Sequence, residues 1–428
     1  SGVCLASNGH HVTCVDTNNS IVKKLNLAIP TIYEKGLDKL LKLVIKSGKF
    51  VVSSDLEKSL LNSSIAIIAV GTPSQNGKIN LNDVLKASKQ IGKFIKFNNQ
   101  FISIIVKSTV IPGTTDNIIL KEIEKHSGKK LGQFGLGMNP EFLREGNAIN
   151  DFMFPDRIVL GYEDKKTLSY LKKLYAYTNV DKIKVNTRTA ELIKYSNNIL
   201  LATQISTINE IANLAFKVKK INIKEVIKGI HLDKRWNPII NKKRANPDIL
   251  KYLIPGCGFG GSCFSKDLQA IKSQGKKYGL PMKIMNAILE VNYNQPLQTV
   301  KILESEVGKL SDNSILLLGL SFKPDTDDVR NSPSLKITDA LLKKGAKIYA
   351  HDPIAIKNFK SFFGKKSKKI SFVKNWKDVV KKVKIIIIIS PWNEYFSLSK
   401  MKISNKVIFD VRCAFSKEKF RNVNYLTI

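Results

Sequence analysis

A glycine-rich segment that holds two cysteines is the part of the sequence best suited to covalent chemistry. Its glycines would let the backbone wrap closely around a ligand. A helix predicted over residues 266–273 would place its N-terminal end beside Cys263, and such an end favours the thiolate form of a cysteine. Asp267 lies four residues further on, about one helical turn, so it would share the same helical face. The segment reads Pro255-Gly256-Cys257-Gly258-Phe259-Gly260-Gly261-Ser262-Cys263-Phe264-Ser265-Lys266-Asp267.

This pattern predicts that Cys263 is a nucleophile, and two other interpretations stay open. The segment could be a plain glycine-rich turn with an inert thiol. Alternatively, Cys257 and Cys263 could contribute to a zinc site. The zinc interpretation is the weaker one, because no second pair of ligands has the spacing of a zinc site, and we predict no metal.

Two further pairs of polar residues have four-residue spacing. Lys194 and Asn198 fall on a helix predicted over residues 190–220, where they would present an ammonium and an amide side by side. Such a pair could hold a developing oxyanion, although a lysine on a helix is more often simply at the surface. Glu141 and Glu145 follow a short strand predicted over residues 135–138. A general base would be useful at that strand end, and acids that complement a helix N-terminus are the alternative.

Asp16 ends a strand predicted over residues 11–15, directly after the first helix. In a dinucleotide-binding fold an acid at this place accepts hydrogen bonds from the adenosine ribose and repels a 2′-phosphate. The position therefore favours NAD over NADP. A carboxylate that caps a turn is the alternative interpretation.

The elements that would position these residues alternate between strands and helices. Polar clusters follow strands predicted at residues 64–70, 101–106 and 135–138, at the edge where open α/β sheets place ligands. A second α/β pattern begins near Ser314. We therefore predict an α/β fold with two Rossmann-like domains joined by a long helix and a helical middle domain. The predicted boundaries are residues 1–188, 189–305 and 306–428. The first helix, at residues 3–7, lacks the strand and glycine turn expected before it, a segment of about ten residues.

The composition narrows the class of protein. The chain has 428 residues and a formal net charge of +35, and its lysines are spread along the whole length. No RNA-recognition signature or zinc-finger spacing is visible, so we expect no nucleic-acid partner. The longest apolar run, Ile385 to Ile389, is too short for a membrane span and predicts a buried strand. Five scattered cysteines and no visible signal peptide favour a cytoplasmic location.

Seven segments, in this order, resemble the UDP-glucose/GDP-mannose dehydrogenase family. The resemblance covers essentially the whole chain. The glycine-cysteine segment and the segment from Asn139 together nearly exclude other dehydrogenases. The matching segments are Val15-Asp16, Val70 to Pro73, Lys107 to Val110, Asn139 to Gly146, Lys194 with Asn198, Gly258 to Asp267, and Ser321 to Arg330.

The resemblance implies a four-electron oxidation of UDP-glucose to UDP-glucuronate by two molecules of NAD in turn. It implies that Cys263 attacks the C6 aldehyde and then carries a thioester. Lys194 and Asn198 would stabilise the oxyanion. Asp267 would help to activate the catalytic water, and Glu141 would be the base for thioester hydrolysis. Family members are dimers or larger oligomers built on the helical middle domain, so a homodimer is implied here.

The same resemblance implies the residues that bind ligands. Thr109 matches a threonine near the catalytic water and the nicotinamide, and Arg235 matches an arginine lent by the neighbouring subunit. The implied cofactor residues are Asp16, Thr72, Thr109, Glu145 and Arg330. The implied substrate residues are Glu141, Phe142, Leu143, Lys194, Asn198, Arg235, Phe259, Gly260, Lys323 and Arg412.

Several positions depart from the family pattern. The glycine turn that would bind the pyrophosphate is not found before the first helix, and the chain after Arg235 is longer than in many relatives. Ser265 stands where proline is usual, and Val411 replaces a common glycine before Arg412. The alternatives are a GDP-mannose 6-dehydrogenase or another nucleotide-sugar 6-dehydrogenase. An inactive fragment and a basic nucleic-acid binder are more remote.

Overall fold

The computed structural model describes residues 1–75, 77–311, 313–420 and 422–428. The chain divides into two compact units. Unit 1 comprises residues 1–197 and 273–278, and unit 2 comprises residues 198–272 and 279–428. The boundary crosses a helix of 32 residues, Thr187–Val218. The three-domain division proposed from the sequence stays a prediction.

Unit 1 is an α/β unit whose strands form two parallel or mostly parallel sheets and one small hairpin. A π-helical turn, Thr115–Ile119, leads into its sixth helix. Its helices are α1 Gly2–Ser7, α2 Asn19–Asn26, α3 Leu37–Lys46, α4 Leu56–Leu60, α5 Asn82–Phe97, α6 Leu120–Ser127, α7 Ala148–Met153 and α8 Lys165–Leu174. Its strands are β1 Val12–Val15, β2 Phe50–Ser53, β3 Ile65–Ile68, β4 Ser74–Gln75, β5 Lys78–Ile79, β6 Ser103–Val106, β7 Gly135–Met138, β8 Ile158–Tyr162 and β9 Lys182–Val185.

The central sheet of unit 1 has the strand order β3-β6-β7-β8-β9. All neighbours are parallel except β7 and β8, and a separate two-stranded parallel sheet joins β1 to β2. All four residues of strand β6 are buried. Its successive side chains Ile104 and Ile105 enter different apolar clusters. Strand β6 therefore lies in the interior with its polar continuation, Lys107 to Thr109, at its carboxyl end.

Helix α9, Thr187–Val218, begins in unit 1 and continues into unit 2. The helices that follow it are α10 Ile223–Leu232, α11 Phe264–Lys277, α12 Lys283–Val307, α13 Pro333–Lys343, α14 Ile356–Phe363 and α15 Lys377–Val380. The strands of unit 2 are β10 Ile239–Ile240, β11 Lys243–Arg244, β12 Ser314–Leu318, β13 Lys347–His351, β14 Ile370–Phe372, β15 Ile385–Ile388, β16 Val407–Asp410 and β17 Asn424–Thr427. Short 3-10 helices lie at Asp248–Leu253, Gly364–Lys369, Asn393–Lys400 and Lys417–Lys419.

The large sheet of unit 2 has six parallel strands in the order β14-β13-β12-β15-β16-β17. Numbered from its own first strand, this order is 3-2-1-4-5-6, which is that of a dinucleotide-binding Rossmann sheet. Alternate side chains of the central strands enter cores on both faces: Ile385 and Ile387 pack on one side, and Ile386 and Ile388 on the other. The predicted buried strand at the longest apolar run is confirmed, as is the α/β fold class.

The elements predicted from periodicity agree with the structure to within a few residues, apart from the connection between α10 and α11. That connection contains a hairpin, β10–β11, and a 3-10 helix that the sequence pattern did not indicate. Among the described residues, no helix is both long enough and apolar enough to cross a membrane.

Candidate active site

Cys263 lies immediately before helix α11. The backbone N–H of Asp267 donates to the Cys263 carbonyl at 2.9 Å, which is the first hydrogen bond of this helix. The thiol is therefore at the positive end of the helix dipole, where a thiolate is favoured. The Ser262 hydroxyl lies 3.6 Å from the Cys263 sulfur. The predicted position of this cysteine at a helix start is confirmed, and the helix is longer than predicted at both ends.

The other cysteine of the segment, Cys257, has a different environment. Its side chain is fully buried, and burial raises the pKa of the Cys257 thiol. A buried thiol with a raised pKa is a poor nucleophile at neutral pH. Of the two cysteines, Cys263 is therefore the one placed for chemistry.

Asp267 is buried, and both of its oxygens accept a hydrogen bond from a neighbouring side chain. Asn198 donates its amide N–H to Oδ2 at 2.7 Å, and the Lys266 ammonium donates to Oδ1 at 2.7 Å. A buried carboxylate requires such partners, because an unpaired charge in the interior is costly. Asp267 thus fixes the orientation of the Asn198 amide, within unit 2.

The glycine segment is held by amide side chains from helices α9 and α12. Asn209 accepts the Gly256 N–H at 2.7 Å, and Gln295 donates to the Gly256 carbonyl at 3.0 Å. Asn292 accepts the Phe259 N–H at 2.7 Å and donates to the Phe259 carbonyl at 3.1 Å. These amides shape the loop that ends at the cysteine. These amides were not predicted from the sequence. The feature that could have indicated them is a polar amide on the apolar, buried face of a helix.

Two glycines of the segment are required by their surroundings. Gly258 has a φ of +97°, and a Cβ there would lie 2.8 Å from the Asn292 side-chain oxygen. A Cβ on Gly260 would lie 2.7 Å from the Asn331 carbonyl and from the Phe322 side chain. Phe259 is buried and packs edge-on against Phe264 at 5.5 Å. The loop is therefore closely packed within unit 2 at the residues expected to line a substrate.

Arg412 links the glycine segment to two other loops of unit 2. Its guanidinium donates to the carbonyls of Gly258 at 2.9 Å, Ile389 at 3.1 Å and Phe322 at 3.4 Å. A planar guanidinium, with five N–H donors, can bond several carbonyl acceptors at once. The substrate contact predicted for Arg412 stays a prediction.

The remaining charged residues predicted for unit 2 lie at its surface. Arg330 forms a paired contact with Asp328, with its closest oxygens at 2.8 and 2.9 Å, and Lys323 is half-buried with its ammonium 5.6 Å from the Phe322 ring centre. Arg235 is largely exposed and bonded to Asp233. The Arg235 guanidinium lowers the pKa of Asp233 to about 2. The ligand contacts predicted for Arg330, Lys323 and Arg235 stay predictions.

In unit 1, the buried Lys194 forms an ion pair with the partly buried Glu141. The Lys194 ammonium donates to Glu141 Oε1 at 3.2 Å, and the Leu143 N–H donates to Oε2 at 2.6 Å. Phe142 lies beside them, with the Arg157 guanidinium carbon 4.0 Å from its ring centre. Glu141 is thereby fixed by one cation and one backbone donor. Each carboxylate oxygen has a second lone pair, so the group can still accept a proton from water.

Lys194 and Asn198 both belong to helix α9, four residues apart as predicted. Lys194 pairs with Glu141 in unit 1, and Asn198 pairs with Asp267 in unit 2. The structure thus gives each member of this predicted oxyanion pair a carboxylate partner within its own unit.

Four of the predicted cofactor residues, all but Arg330, lie in unit 1 in the loops that follow strands. The Asp16 N–H donates to the Ser53 carbonyl at 3.1 Å, so Asp16 directly continues β1 beside β2. Its carboxylate accepts the Asn18 N–H at 2.8 Å and is partly exposed, which fits an acid that faces a ribose. The Thr72 hydroxyl donates to the Thr109 carbonyl at 2.8 Å, which joins two of the strand-end loops. Glu145 is half-buried in the loop after β7.

Comparisons with known proteins show which family the chain resembles over its whole length. The chain matches three family models: "UDP-glucose/GDP-mannose dehydrogenase family, NAD binding domain" at residues 1–179, the central domain at residues 188–294 and the UDP binding domain at residues 316–417. A UDP-glucose 6-dehydrogenase of Rickettsia conorii is 35% identical over 432 residues, which are 99% of this chain and 95% of that protein.

Two further relatives span almost the same length. The UDP-glucose 6-dehydrogenase TuaD of Bacillus subtilis is 34% identical over 431 residues, which are 100% of this chain and 89% of that protein. A solved UDP-glucose dehydrogenase from Pyrobaculum islandicum superposes with a TM-score of 0.88 and 35% identity, covering 99% of this chain and 93% of that one.

Proposed function

The chain belongs to the UDP-glucose/GDP-mannose dehydrogenase family, and we propose that it oxidises the C6 hydroxyl of UDP-glucose to a carboxylate. The observation that carries the proposal is Cys263 at the start of α11, with Asp267 buried one turn further on and bonded to Asn198. A thiol placed in this way can capture an aldehyde. Covalent capture explains how one enzyme can oxidise the same carbon twice without releasing a reactive intermediate.

UDP-glucose is the preferred substrate for two reasons. The three relatives described above match over nearly the full chain and are named for UDP-glucose, and residues 316–417 match a UDP binding domain. Lys323 and Arg412 lie in this region and are the cations proposed to contact the nucleotide sugar. GDP-mannose and other nucleotide sugars are the alternatives, because the same chemistry serves them.

The cofactor is NAD, which accepts a hydride in each of the two oxidations. Asp16 would hold the adenosine ribose, because its backbone continues β1 and its carboxylate lies at that strand end. Thr72, Thr109, Glu145 and Arg330 would complete the contacts to the cofactor. Two of these, Thr72 and Thr109, already fix one another through a hydrogen bond.

In the covalent step, the Cys263 thiolate attacks the C6 aldehyde and a C–S bond forms. The carbonyl electron pair moves to oxygen, and Lys194 and Asn198 donate hydrogen bonds to that oxyanion. Loss of the second hydride from C6 then gives a thioester. Asn198 is suited to this role because Asp267 fixes its amide, and Lys194 because burial limits its movement.

Hydrolysis of the thioester completes the cycle. Glu141 accepts a proton from the attacking water, and the C–S bond breaks with Cys263 leaving as a thiolate. Asp267 and Thr109 would orient the water. The balance is one alcohol, two NAD and one water consumed, with one carboxylate, two NADH and three protons formed.

A homodimer built on the helical middle domain is part of the proposal. Helices α9 and α12 carry apolar side chains that are each more than half exposed, and large exposed apolar groups of this kind are typical of an interface. They are Leu200, Leu214, Val218, Ile284 and Tyr293. We also propose a cytoplasmic location, because a reducing compartment suits a catalytic thiol and five cysteines that form no disulfide among the described residues.

The direct test is an NADH assay on the enzyme expressed from its complete gene. UDP-glucose, GDP-mannose, UDP-N-acetylglucosamine and UDP-N-acetylgalactosamine would be compared at equal concentrations. We expect the highest kcat/KM with UDP-glucose, and two NADH for each sugar consumed. A higher kcat/KM with another nucleotide sugar would make that sugar the substrate in place of UDP-glucose. One NADH per sugar would overturn the four-electron reaction.

A further inference from the structure

Lys107 directly follows strand β6 and is buried, yet the proposed chemistry gives it no role. Its ammonium donates to Asn139 Oδ1 at 2.8 Å, to the Asn139 carbonyl at 3.5 Å and to the Tyr175 hydroxyl at 3.4 Å. All three acceptors are neutral groups. An ammonium has three N–H donors, so the number of donors matches the number of acceptors.

Asn139 and Tyr175 complete this network. The Tyr175 hydroxyl donates to Asn139 Oδ1 at 2.5 Å, and the Asn139 amide N–H donates to the Val159 carbonyl at 2.9 Å. Both side chains are buried. Every neighbour of Lys107 in this network therefore presents an acceptor to it, which suits the charged form of the lysine.

The countercharge for this buried cation is Glu141, two residues beyond Asn139. Burial lowers the pKa of Lys107 to about 8. The negative charge of Glu141 raises this pKa, and the positive charge of Lys194 lowers it. Glu141 thus has two cations near it. Lys194 is hydrogen-bonded to its carboxylate, and Lys107 acts through its charge and through the segment that Asn139 begins.

We propose that Lys107 is a positioning residue for Glu141: its charged ammonium fixes the segment Asn139-Pro140-Glu141, and with it the carboxylate that accepts a proton from water. The proposal rests on the proposed function, in which Glu141 acts in thioester hydrolysis. It assigns Lys107 to the hydrolytic half of the cycle and gives it no part in the two hydride transfers.

The proposal predicts a dependence on pH. The groups that act on Lys107 are Glu141 and Lys194, with the Tyr175 hydroxyl also beside it. Burial raises the pKa of Tyr175, so the phenol stays neutral while Lys107 titrates. As the pH rises through about 8, Lys107 loses its charge and hydrolysis should slow.

The test compares Lys107→Met and Lys107→Arg with the wild-type enzyme, and uses Lys130→Met as the matched control. Lys130 is an exposed lysine of the same unit, paired with Glu124. Rapid-quench counting of NADH, intact-protein mass spectrometry and a pH profile of kcat would be measured for each. Lys107→Met should keep a burst of two NADH per site, accumulate the acyl-enzyme and lose about 10- to 100-fold in kcat.

Lys107→Arg should retain most of the rate at pH 7 and lose the decline above about pH 8, because a guanidinium stays charged. A Lys107→Met enzyme with the kcat of the control, or with the burst and kcat reduced together, would overturn the proposal. An arginine variant that keeps the wild-type alkaline decline would also overturn it, even if the methionine variant does not fold. A Cys263→Ser enzyme with a near-normal steady rate would reject the proposed function, and the role of Lys107 with it.

Discussion

Glu191 accepts hydrogen bonds from both the backbone N–H and the hydroxyl of Thr115, at 2.8 and 2.6 Å. Its second oxygen accepts the Gly113 N–H at 2.6 Å, and the side chain is fully buried. Glu191 lies one turn before Lys194 on helix α9. It therefore fixes the segment that follows Thr109 to the helix that carries the proposed oxyanion lysine.

The Glu191 contact leads to a prediction about stability and pH. Burial raises the pKa of Glu191 to about 7, above the value of the unfolded chain. The folded state then binds a proton that the unfolded state releases, so this stabilising contribution is present below about pH 4.5 and is lost as the pH rises through 7. We expect wild type to lose up to about 3 kcal/mol of unfolding free energy relative to Glu191→Gln between pH 5 and 8.

Urea unfolding at pH 5, 6, 7 and 8 would measure this difference. Glu210→Gln is the control, because Glu210 is an exposed carboxylate on the same helix. Parallel pH dependences for wild type and Glu191→Gln would show that Glu191 stays ionised throughout.

Replacing Cys263 by serine should abolish steady turnover. A serine hydroxyl is far less nucleophilic than a thiolate, and the ester it could form would hydrolyse slowly. The measurement is steady NADH production from UDP-glucose, with Cys413→Ser as the control, since burial raises the pKa of Cys413 to about 12. A near-normal rate for Cys263→Ser would exclude the covalent mechanism.

Glu141→Gln should separate hydride transfer from hydrolysis. We expect a single burst of two NADH per site, followed by a stalled acyl-enzyme, because a glutamine amide cannot take the proton from water. Rapid-quench NADH counting combined with intact-protein mass spectrometry would detect both. If neither a burst nor an adduct appears, Glu141 acts earlier, for example in positioning the substrate.

Much of this arrangement could be predicted from the sequence because its determinants are local. The apolar run at residues 385–389 predicted a buried strand, and the position of Cys263 before a helix followed from the residues around it. The contact between Asp267 and Asn198, by contrast, depends on which helices pack together. Asn198 lies 69 residues away in the chain, so its contact was not visible in any local pattern.

The same limit explains the residues that were missed. Lys107 stood in a recognised motif, but its burial depends on Asn139 and Tyr175, which are 32 and 68 residues away. The hairpin β10–β11 was missed because its strands have two residues each and its turn, at Asn241 and Lys242, carries no glycine. Short strands of this kind have too little alternation for a period to be recognised.

Asp16 should set the preference for NAD. Its carboxylate at the end of β1 can accept bonds from the two ribose hydroxyls and would repel a 2′-phosphate. We expect Asp16→Ala to lower kcat/KM for NAD while that for NADP rises or stays the same. Asp55→Ala is the control, because Asp55 is exposed and caps helix α4. An unchanged ratio of the two kcat/KM values would reject this role for Asp16.

Asn292→Ala tests whether the glycine loop must be held for Cys263 to react. The substitution removes both hydrogen bonds to Phe259 and leaves its backbone N–H and carbonyl without these partners. An unsatisfied buried polar group costs about 1–3 kcal/mol, so the loop should populate other conformations. If about 1.4 kcal/mol of this cost is added to the activation free energy, kcat falls about tenfold. The rate at which iodoacetamide alkylates Cys263 should change as well, because the thiol leaves its place at the start of α11.

Asn294→Ala, at an exposed position of the same helix, is the matched control for both measurements. A variant at position 292 that matches this control in kcat and in alkylation rate would show that the loop keeps its shape without the amide.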